Sequence, residues 1–306
     1  MCHAPGINPA VTISERDTIP ATHLMKTFAL LLMLTATSLA PAADNDSALV
    51  KGTLRSPHSA IPHIAKRLGW SMEVMRDTAP EMEYDPAAES FGLYVPKAFD
   101  GTEDYGVLVF VHPGGDGRID PAWRALADKH KLIWIGPNGA GNNRATWVRI
   151  GLALDAAEHV RVNFRIDPRR VYLAGVSGGG RISSIAAIGF PEVFAGGFYI
   201  VGCNFYRDLP AADQPGTFRP KTFSPPPAKL LAQAKSQGRY VFLTGETDIN
   251  RHETRANEAG YRRDGFRNTV YLEVPGMGHQ SPGPEWLAKG LAFLDTPAGR
   301  KARRTR

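Results

Sequence analysis

Short uninterrupted hydrophobic runs alternate with longer amphipathic segments from about residue 86 to residue 295. Uninterrupted runs are typical of strands buried on both faces of a sheet, whereas apolar residues three or four positions apart predict helices. Strands are predicted at residues 91–95, 106–111, 132–135, 171–174, 198–201, 240–243 and 270–274. Helices are predicted at residues 121–130, 151–164, 179–188 and 284–294.

This alternation predicts an α/β fold, with a mostly parallel central sheet and helices on both faces, in a single domain. The chain has 306 residues, of which 43% are hydrophobic and 22% charged, as is ordinary for a globular protein. Because substrates of parallel sheets bind at the carboxyl ends of the strands, we expect the functional side chains in the loops that follow the strands.

The segment Gly175-Val176-Ser177-Gly178-Gly179 directly follows one predicted strand and precedes a predicted helix. A strand, G-x-S-x-G and a helix in that order form a nucleophile elbow, a sharp turn that exposes a reactive serine. The flanking glycines allow the strand and the helix to approach each other without Cβ clashes. The motif therefore predicts Ser177 as a catalytic nucleophile.

A serine hydroxyl needs a base, and the base needs an acid that orients it. In this arrangement the acid and then the histidine follow the serine along the chain. His279 follows the last predicted strand, and we expect it to be the general base. Asp248 follows the preceding strand and is the favoured acid, with Glu246 as its rival and Asp264 as a third candidate.

Two backbone N–H groups are expected to stabilise the negative oxygen that forms during the reaction. One is the N–H of Gly178, which comes directly after the nucleophile. The other is expected in the loop after the strand at 106–111, where Gly114 is favoured and Gly115 is next. Pro113 in the same loop has no N–H, and His112 is expected to brace the loop by hydrogen bonding.

Residues 203–227 depart from the regular pattern because they contain six prolines, which disfavour any regular element. Two interpretations stay open for this segment. It is either an ordered excursion over the strand ends that forms a wall of the substrate pocket, or a surface connection with incidental aromatic residues. The aromatic residues concerned are Phe205, Tyr206, Phe218 and Phe223.

The N-terminal region has the order of an export signal, because Lys26 precedes an apolar run at 28–34 and small residues at 40–43. The run is too short for a membrane span, so we expect cleavage near Ala43 and no stable membrane insertion. An N-terminal membrane anchor is the alternative. Acidic residues within 1–24 do not fit a signal, which favours Met25 as the true start.

We therefore expect an exported protein, either periplasmic or secreted, with four segments. They are an N-terminal extension and signal at 1–43, a segment at 44–85 that packs on the catalytic domain, the catalytic domain at 86–295, and a basic tail at 296–306.

The formal net charge of +6 comes partly from the basic tail. A solvated terminus is the favoured interpretation of that tail, so no nucleic-acid partner is expected. Cys2 and Cys203 are the two cysteines, and Cys2 lies in the segment expected to be absent, which leaves no intrachain disulfide. The sequence contains no nucleotide-binding glycine motif and no Cys/His cluster, so neither a cofactor nor a metal is expected.

These motifs together resemble the α/β-hydrolase superfamily, specifically its poly(3-hydroxybutyrate) depolymerase and feruloyl-esterase-like group. The resemblance covers roughly residues 86–295. Its segments are His112–Gly115, Ile166–Tyr172 leading into Gly175–Gly179, Phe190–Ala195 and Gly276–His279. Two departures are Pro113, where the group usually has glycine, and Gly178, where it often has alanine.

The resemblance implies hydrolysis of carboxylic esters through an acyl-enzyme, with Ser177, Asp248 and His279 in the roles given above. Small or oligomeric esters are the expected substrates. Soluble esters are expected to react faster than solid polymer, because only 27 residues follow His279. Peptidase and acyltransferase activities use the same triad and stay open, as does a non-catalytic binding protein on this scaffold.

Overall fold

A computed structural model describes residues 48–211 and 216–296. The predicted export signal, the start at Met25 and the basic tail beyond residue 296 lie outside the described residues. The described residues all fall within one compact unit.

The strands of the described residues form an eight-stranded sheet and a two-stranded ribbon. They are β1 Ala48–Lys51, β2 Ser90–Tyr94, β3 Tyr105–Val111, β4 Leu132–Pro137, β5 Ile166–Val176, β6 Gly196–Ile200, β7 Leu209–Pro210, β8 Phe218–Arg219, β9 Arg239–Gly245 and β10 Asn268–Val274. The order in the large sheet is β1-β2-β4-β3-β5-β6-β9-β10, and β7 pairs with β8. Only β2 runs antiparallel to its neighbours β1 and β4 in this sheet, and the other neighbouring pairs are parallel.

Helices cover both faces of the sheet. They are α1 Ile61–Leu68, α2 Met72–Thr78, α3 Arg124–Lys129, α4 Thr146–Asn163, α5 Gly178–Gly189, α6 Ala228–Gln237, α7 Arg251–Arg263 and α8 Pro284–Leu294. One face packs against a core that includes Ile64, Leu152 and Ile185 of α1, α4 and α5. The opposite core includes Ala127 and Leu291 of α3 and α8. The predicted α/β architecture, a mostly parallel sheet between two helical layers, is confirmed.

The apolar runs form strands because they lie inside this sandwich. All seven residues of β3 are buried, as expected for a strand at the centre of a sheet with both faces covered. The predicted boundaries of two elements were wrong. α4 begins at Thr146 and not at 151, because Trp147 and Arg149 of its first turns are buried alongside the apolar residues. β5 begins at Ile166 and not at 171, because a register shift against β3 accommodates Pro168 at the exposed start of the strand.

The N-terminal part of the described chain contributes elements that the sequence pattern did not predict. β1 extends the sheet by pairing with β2, and α1 packs on α4. Asp155 of α4 is fully buried and anchors this region. Its carboxylate accepts hydrogen bonds from the backbone N–H of Ser56 at 2.6 Å and from the hydroxyl of Tyr84 at 2.5 Å. Burial raises the pKa of Asp155 above its ordinary value.

Asp295 follows α8 and lies at the amino ends of the strands. Its side chain contacts Arg170 of β5 and His130, the residue after α3. Its carboxylate accepts a hydrogen bond from Arg170 Nε at 3.1 Å, and His130 Nδ1 lies 2.9 Å away. The hydroxyl of Tyr172 lies 3.2 Å from the same carboxylate. Burial acts to raise the pKa of Asp295, but the hydrogen bonds from His130 and Arg170 outweigh it and hold that pKa below its ordinary value.

Candidate active site

Ser177 lies between the end of β5 and the start of α5. Its backbone has φ +53° and ψ −119°, a conformation that non-glycine residues rarely adopt and that is held here by the surrounding sheet. The N–H of Ser177 donates to the carbonyl of Ile200 on the neighbouring strand β6 at 2.8 Å. The turn therefore presents the serine side chain at the carboxyl end of the sheet, as an elbow requires.

The glycine that closes the motif is required by close backbone packing. A Cβ atom at Gly179 would lie 1.8 Å from the carbonyl oxygen of Val111 at the end of β3. Since that oxygen belongs to a central strand, it cannot move aside. Only glycine allows α5 to begin this close to the sheet, which explains why the motif ends in glycine.

The structure brings His279 and Asp248 together beside Ser177. His279 Nε2 lies 2.8 Å from Ser177 Oγ, and His279 Nδ1 lies 2.7 Å from Asp248 Oδ1. Asp248 is buried, and its carboxylate also accepts hydrogen bonds from the hydroxyl of Thr244 at 2.6 Å and the N–H of Asn250 at 3.1 Å. A carboxylate on Nδ1 favours the histidine tautomer that leaves Nε2 free to accept the serine proton.

The two other acids considered from the sequence lie elsewhere. Glu246 is exposed and accepts a hydrogen bond from the N–H of Gly276 at 2.9 Å. Asp264 follows α7 and pairs with Lys235 at 3.0 Å and Arg207 at 2.7 Å. Among the described residues, the carboxylate that hydrogen-bonds to His279 is that of Asp248 and not that of Glu246 or Asp264.

The predicted oxyanion donors are placed differently from one another. Gly178 is the first residue of α5, so its N–H lies at a helix N-terminus beside Ser177. The N–H of Gly114, in contrast, donates to His112 Nδ1 at 3.1 Å, and that of Gly115 donates to the carbonyl of His112 at 3.2 Å. His112 braces its loop by hydrogen bonding, as expected. The same hydrogen bond occupies the N–H of Gly114, which the sequence favoured as the second oxyanion donor.

Asn142 is a residue at this site that the sequence analysis missed. It lines the cavity beside Ser177, and its backbone N–H donates to the carbonyl of Pro113 at 2.7 Å. A Cβ atom at Gly178 would lie 2.0 Å from Asn142 Oδ1, so the asparagine side chain occupies the space that an alanine would need. The available signal was the glycine-rich turn that contains Asn142, which follows β4 at the carboxyl edge of the sheet.

A cavity of about 720 Å³ opens beside Ser177. Its walls come from the α1–α2 region and from the first turns of α4 and α5, with Asn204 and Thr222 from the proline-rich segment. The lining residues are Gly69, Trp70, Ser71, Val74, Met75, Thr78, Asn142, Thr146, Trp147, Arg149, Ser177, Gly178, Arg181, Ile182, Ile185, Asn204 and Thr222.

Of the two interpretations of residues 203–227, the pocket wall is supported in part, because Asn204 and Thr222 line the cavity. Two details of the prediction were wrong. The segment contains regular structure, because β7 and β8 pair as a short antiparallel ribbon. Its aromatic residues do not line the cavity: Phe205, Tyr206 and Phe223 are buried, and the ring of Phe205 stacks on that of Tyr261 in α7. The aromatic wall is instead formed by tryptophans from segments that are distant in sequence.

Other features of the described residues concern metals, thiols and membranes. No three His, Cys, Asp or Glu side chains within residues 48–211 and 216–296 are grouped to hold a metal ion. Cys203 is fully buried, and burial raises the pKa of its thiol. No helix in the described part of the chain is long and apolar enough to cross a membrane.

Comparison with known proteins gives partial matches to two polyester depolymerases. A poly(3-hydroxybutyrate) depolymerase from Ralstonia pickettii is 29% identical over 110 residues, which are 31% of this chain and 20% of that protein. A poly(3-hydroxyalkanoate) depolymerase C from Paucimonas lemoignei is 30% identical over 94 residues, 26% of this chain and 23% of that protein. The matches thus span less than a quarter of these relatives. No family model matches the chain.

Solved structures share the fold at low sequence identity. The S-formylglutathione hydrolase FrmB from Staphylococcus aureus has a TM-score of 0.51 at 15% identity, over 67% of this chain and 92% of that one. The feruloyl esterase module from Clostridium thermocellum, solved with sinapinate, has a TM-score of 0.52 at 12% identity, over 86% of this chain and 93% of that one. The chain therefore has the α/β-hydrolase fold, and its predicted resemblance to the depolymerase and feruloyl-esterase-like group is confirmed.

Proposed function

We propose that this protein is a serine hydrolase that cleaves carboxylic esters through an acyl-enzyme on Ser177. The observation that carries the proposal is the placement of His279 between Ser177 Oγ, at 2.8 Å, and Asp248 Oδ1, at 2.7 Å. The depolymerase names of the partial relatives support an ester substrate.

In the first half of the reaction, Ser177 Oγ attacks the ester carbonyl while its proton passes to His279 Nε2. The buried carboxylate of Asp248 holds the imidazole in place and stabilises the imidazolium that forms. The tetrahedral intermediate then collapses, the C–O bond to the alcohol breaks, and His279 returns the proton to the leaving alkoxide. The acyl group is left on Ser177.

In the second half, water replaces the alcohol. His279 accepts a proton from the water, whose oxygen attacks the acyl carbonyl. The bond from the acyl carbon to Ser177 Oγ then breaks, His279 returns the proton to Oγ, and the carboxylic acid leaves. The side chain of His279 is about one-third exposed, so water has access to it. A site open to water in this way favours hydrolysis over acyl transfer to an alcohol.

The oxyanion is stabilised by the N–H of Gly178 at the start of α5, where the helix dipole adds positive potential. The second donor is either the N–H of Gly114, once its hydrogen bond to His112 Nδ1 is broken, or the side-chain amide of Asn142. Replacing Asn142 with alanine distinguishes them, since loss of one donor typically lowers kcat by about 10²- to 10³-fold. A near-normal kcat in that variant would assign the role to Gly114.

We further propose small or oligomeric esters as substrates and a location outside the cytoplasm. The volume of the cavity, about 720 Å³, suits a small acyl or aromatic group. The sequence pattern at residues 26–43 supports export. N-terminal sequencing of protein recovered outside the cytoplasm should give a start near residue 43, and recovery of an intact Met1 would contradict export by signal cleavage.

The test is a panel of aryl esters of increasing acyl length, with a feruloyl ester, hydroxybutyrate oligomers and a peptide anilide, assayed with the unsubstituted protein and with Ser177→Ala. We expect ester hydrolysis that falls by about 10⁶-fold in the variant. Faster cleavage of the anilide would point to a peptidase. Transfer to added alcohol in preference to water would indicate an acyltransferase. Absence of turnover on all substrates would favour a binding protein.

A further inference from the structure

Arg149 is a buried cation in the wall of the cavity that opens beside Ser177. It lies one turn into α4, is only 5% exposed, and contributes to the cavity lining. Its Nε donates to the backbone carbonyl of Ala140 at 2.8 Å, which directs the guanidinium toward the loop after β4. The mechanism proposed above does not use this side chain.

The charge of Arg149 is uncompensated within the described residues. No described carboxylate forms an ion pair with it, and its Nη2 is buried without a hydrogen-bond partner. Burial lowers its pKa to about 10, so the guanidinium is charged at neutral pH. A buried charge without a partner is costly, and such groups in proteins are generally paired.

Arg181, the second arginine of the cavity, shows what a compensated charge looks like in this protein. Its two Nη atoms each lie 2.6 Å from a carboxylate oxygen of Glu253, and Nη1 also donates to Asn204 Oδ1 at 3.1 Å. Glu253 therefore neutralises Arg181. Arg149 has no such partner among the described residues, although both arginines line the same cavity.

The rest of the described cavity lining supplies no group that neutralises Arg149. No Asp or Glu is among the residues of 48–211 and 216–296 that line the cavity. Thr146 and Trp147, which begin α4, also line the cavity. The start of this helix already has an anion, because the N–H of Ala145 donates to the Glu81 carboxylate at 3.4 Å. The N–H groups at a helix N-terminus favour an anion nearby. Among the described residues that line the cavity, Arg149 is thus the cation that no carboxylate neutralises.

We propose that Arg149 binds a carboxylate on the substrate, so that the preferred esters carry a free carboxylate, as the half-esters of dicarboxylic acids do. This inference rests on the proposed ester hydrolysis at Ser177. A planar guanidinium can present two parallel N–H donors to a carboxylate, which makes arginine suited to this role. The substrate carboxylate completes the ion pair that the protein leaves open.

The first test compares matched ester pairs. In one pair the acyl group carries the charge, as in mono-(4-nitrophenyl) glutarate against 4-nitrophenyl valerate. In the other pair the alcohol carries it, as in 5-acetoxypentanoate against pentyl acetate. We expect the kcat/KM ratio of charged to neutral ester to exceed 1 in at least one pair. In Arg149→Gln that ratio should fall by about 10- to 100-fold, the effect of losing a hydrogen bond to a charged group.

Two further variants serve as controls. Arg161→Gln removes the same charge from the same helix at a side chain that is 61% exposed, and should leave the ratio unchanged. Arg149→Lys keeps the charge without the planar geometry and should restore part of the preference. An equal ratio in the unsubstituted protein and Arg149→Gln, with a lowered Tm, would show a purely structural role and overturn the proposal.

A binding measurement separates this inference from the proposed function. Calorimetry with glutarate should show binding to the unsubstituted protein and to Arg161→Gln, and at least tenfold weaker binding to Arg149→Gln. If no ester is hydrolysed but glutarate binds in this pattern, the proposed function fails and the carboxylate site stands. If esters are hydrolysed without a preference for charge and glutarate does not bind, the proposed function stands and the carboxylate site fails.

Discussion

Replacing Asp248 with asparagine is expected to lower kcat/KM for ester hydrolysis by roughly 10⁴-fold, the size of the effect of the same change in a serine-protease triad. That factor corresponds to about 5 kcal/mol of lost transition-state stabilisation. The structure explains why the loss should be this large. The buried carboxylate faces three polar groups, which are His279 Nδ1, the hydroxyl of Thr244 and the N–H of Asn250.

An asparagine amide has only one acceptor oxygen to place among these groups. If its NH₂ faces His279, the imidazole must adopt the tautomer that cannot accept the serine proton. If its oxygen faces His279, Thr244 must reverse its hydroxyl, and the imidazolium that forms during the reaction loses its negative partner. Both orientations impair the base while the side chain keeps its size, so Tm should change little.

The matched control is Glu246→Gln, because Glu246 is two residues away, exposed, and bonded only through an acceptor oxygen to the N–H of Gly276. A glutamine preserves that contact, so kcat/KM should change by less than about threefold. Both variants are assayed by steady-state hydrolysis of a 4-nitrophenyl ester, with thermal unfolding as a check on the fold. A larger loss in Glu246→Gln than in Asp248→Asn would transfer the role of the acid to Glu246 and refute the reasoning.

Three other predictions follow from the packing and the charges. Gly179→Ala should destabilise the fold by several kcal/mol, because its Cβ would meet the backbone carbonyl of Val111, which cannot move aside. Gly178→Ala should displace the side chain of Asn142, which lowers kcat while Tm stays nearly constant. Equal Tm values for the two variants would contradict this prediction. Asp295→Asn should lower the free energy of unfolding at pH 7 by about 2 kcal/mol in urea titrations. Because the folded-state pKa of Asp295 is lowered, its stabilisation is present above the unfolded value of about 3.9 and is lost as the pH falls through the folded pKa. A difference between the two proteins that does not decrease as the pH is lowered from 7 through the acid range would refute the assignment. Soluble short-chain esters should be hydrolysed faster per mole of enzyme than suspended polyhydroxybutyrate, as a cavity of about 720 Å³ suits small groups; equal rates on the two would contradict this.

The sequence predicted the parts of the fold that depend on local pattern. Apolar runs such as 106–111 are strands in the structure, and the G-x-S-x-G motif forms the expected elbow at Ser177. The order of the candidate residues along the chain also placed Asp248 and His279 after strands β9 and β10. Parallel strands bring their carboxyl ends to one edge, so these residues could be expected to meet.

The parts that the sequence did not reveal depend on contacts between distant segments. The pocket wall includes Trp70 beyond α1 and Trp147 in α4, and nothing in the local pattern of either segment indicates that they face the same cavity. The side chain of Asn142 against Gly178 and the charge of Arg149 are likewise visible only in three dimensions. The N–H of Gly114 was expected to be available, but a side chain two residues earlier, His112, accepts its hydrogen bond.

The central claim, that Ser177 is a nucleophile activated by His279, is tested most directly by reaction with a fluorophosphonate, followed by intact mass measurement and peptide mapping. The account predicts that the unsubstituted protein gains one phosphonyl group, on Ser177, and that its ester hydrolysis stops in proportion. Ser177→Ala should gain none, and His279→Ala should react far more slowly. Labelling at a different residue, or ester hydrolysis that continues at the normal rate in Ser177→Ala, would contradict the claim.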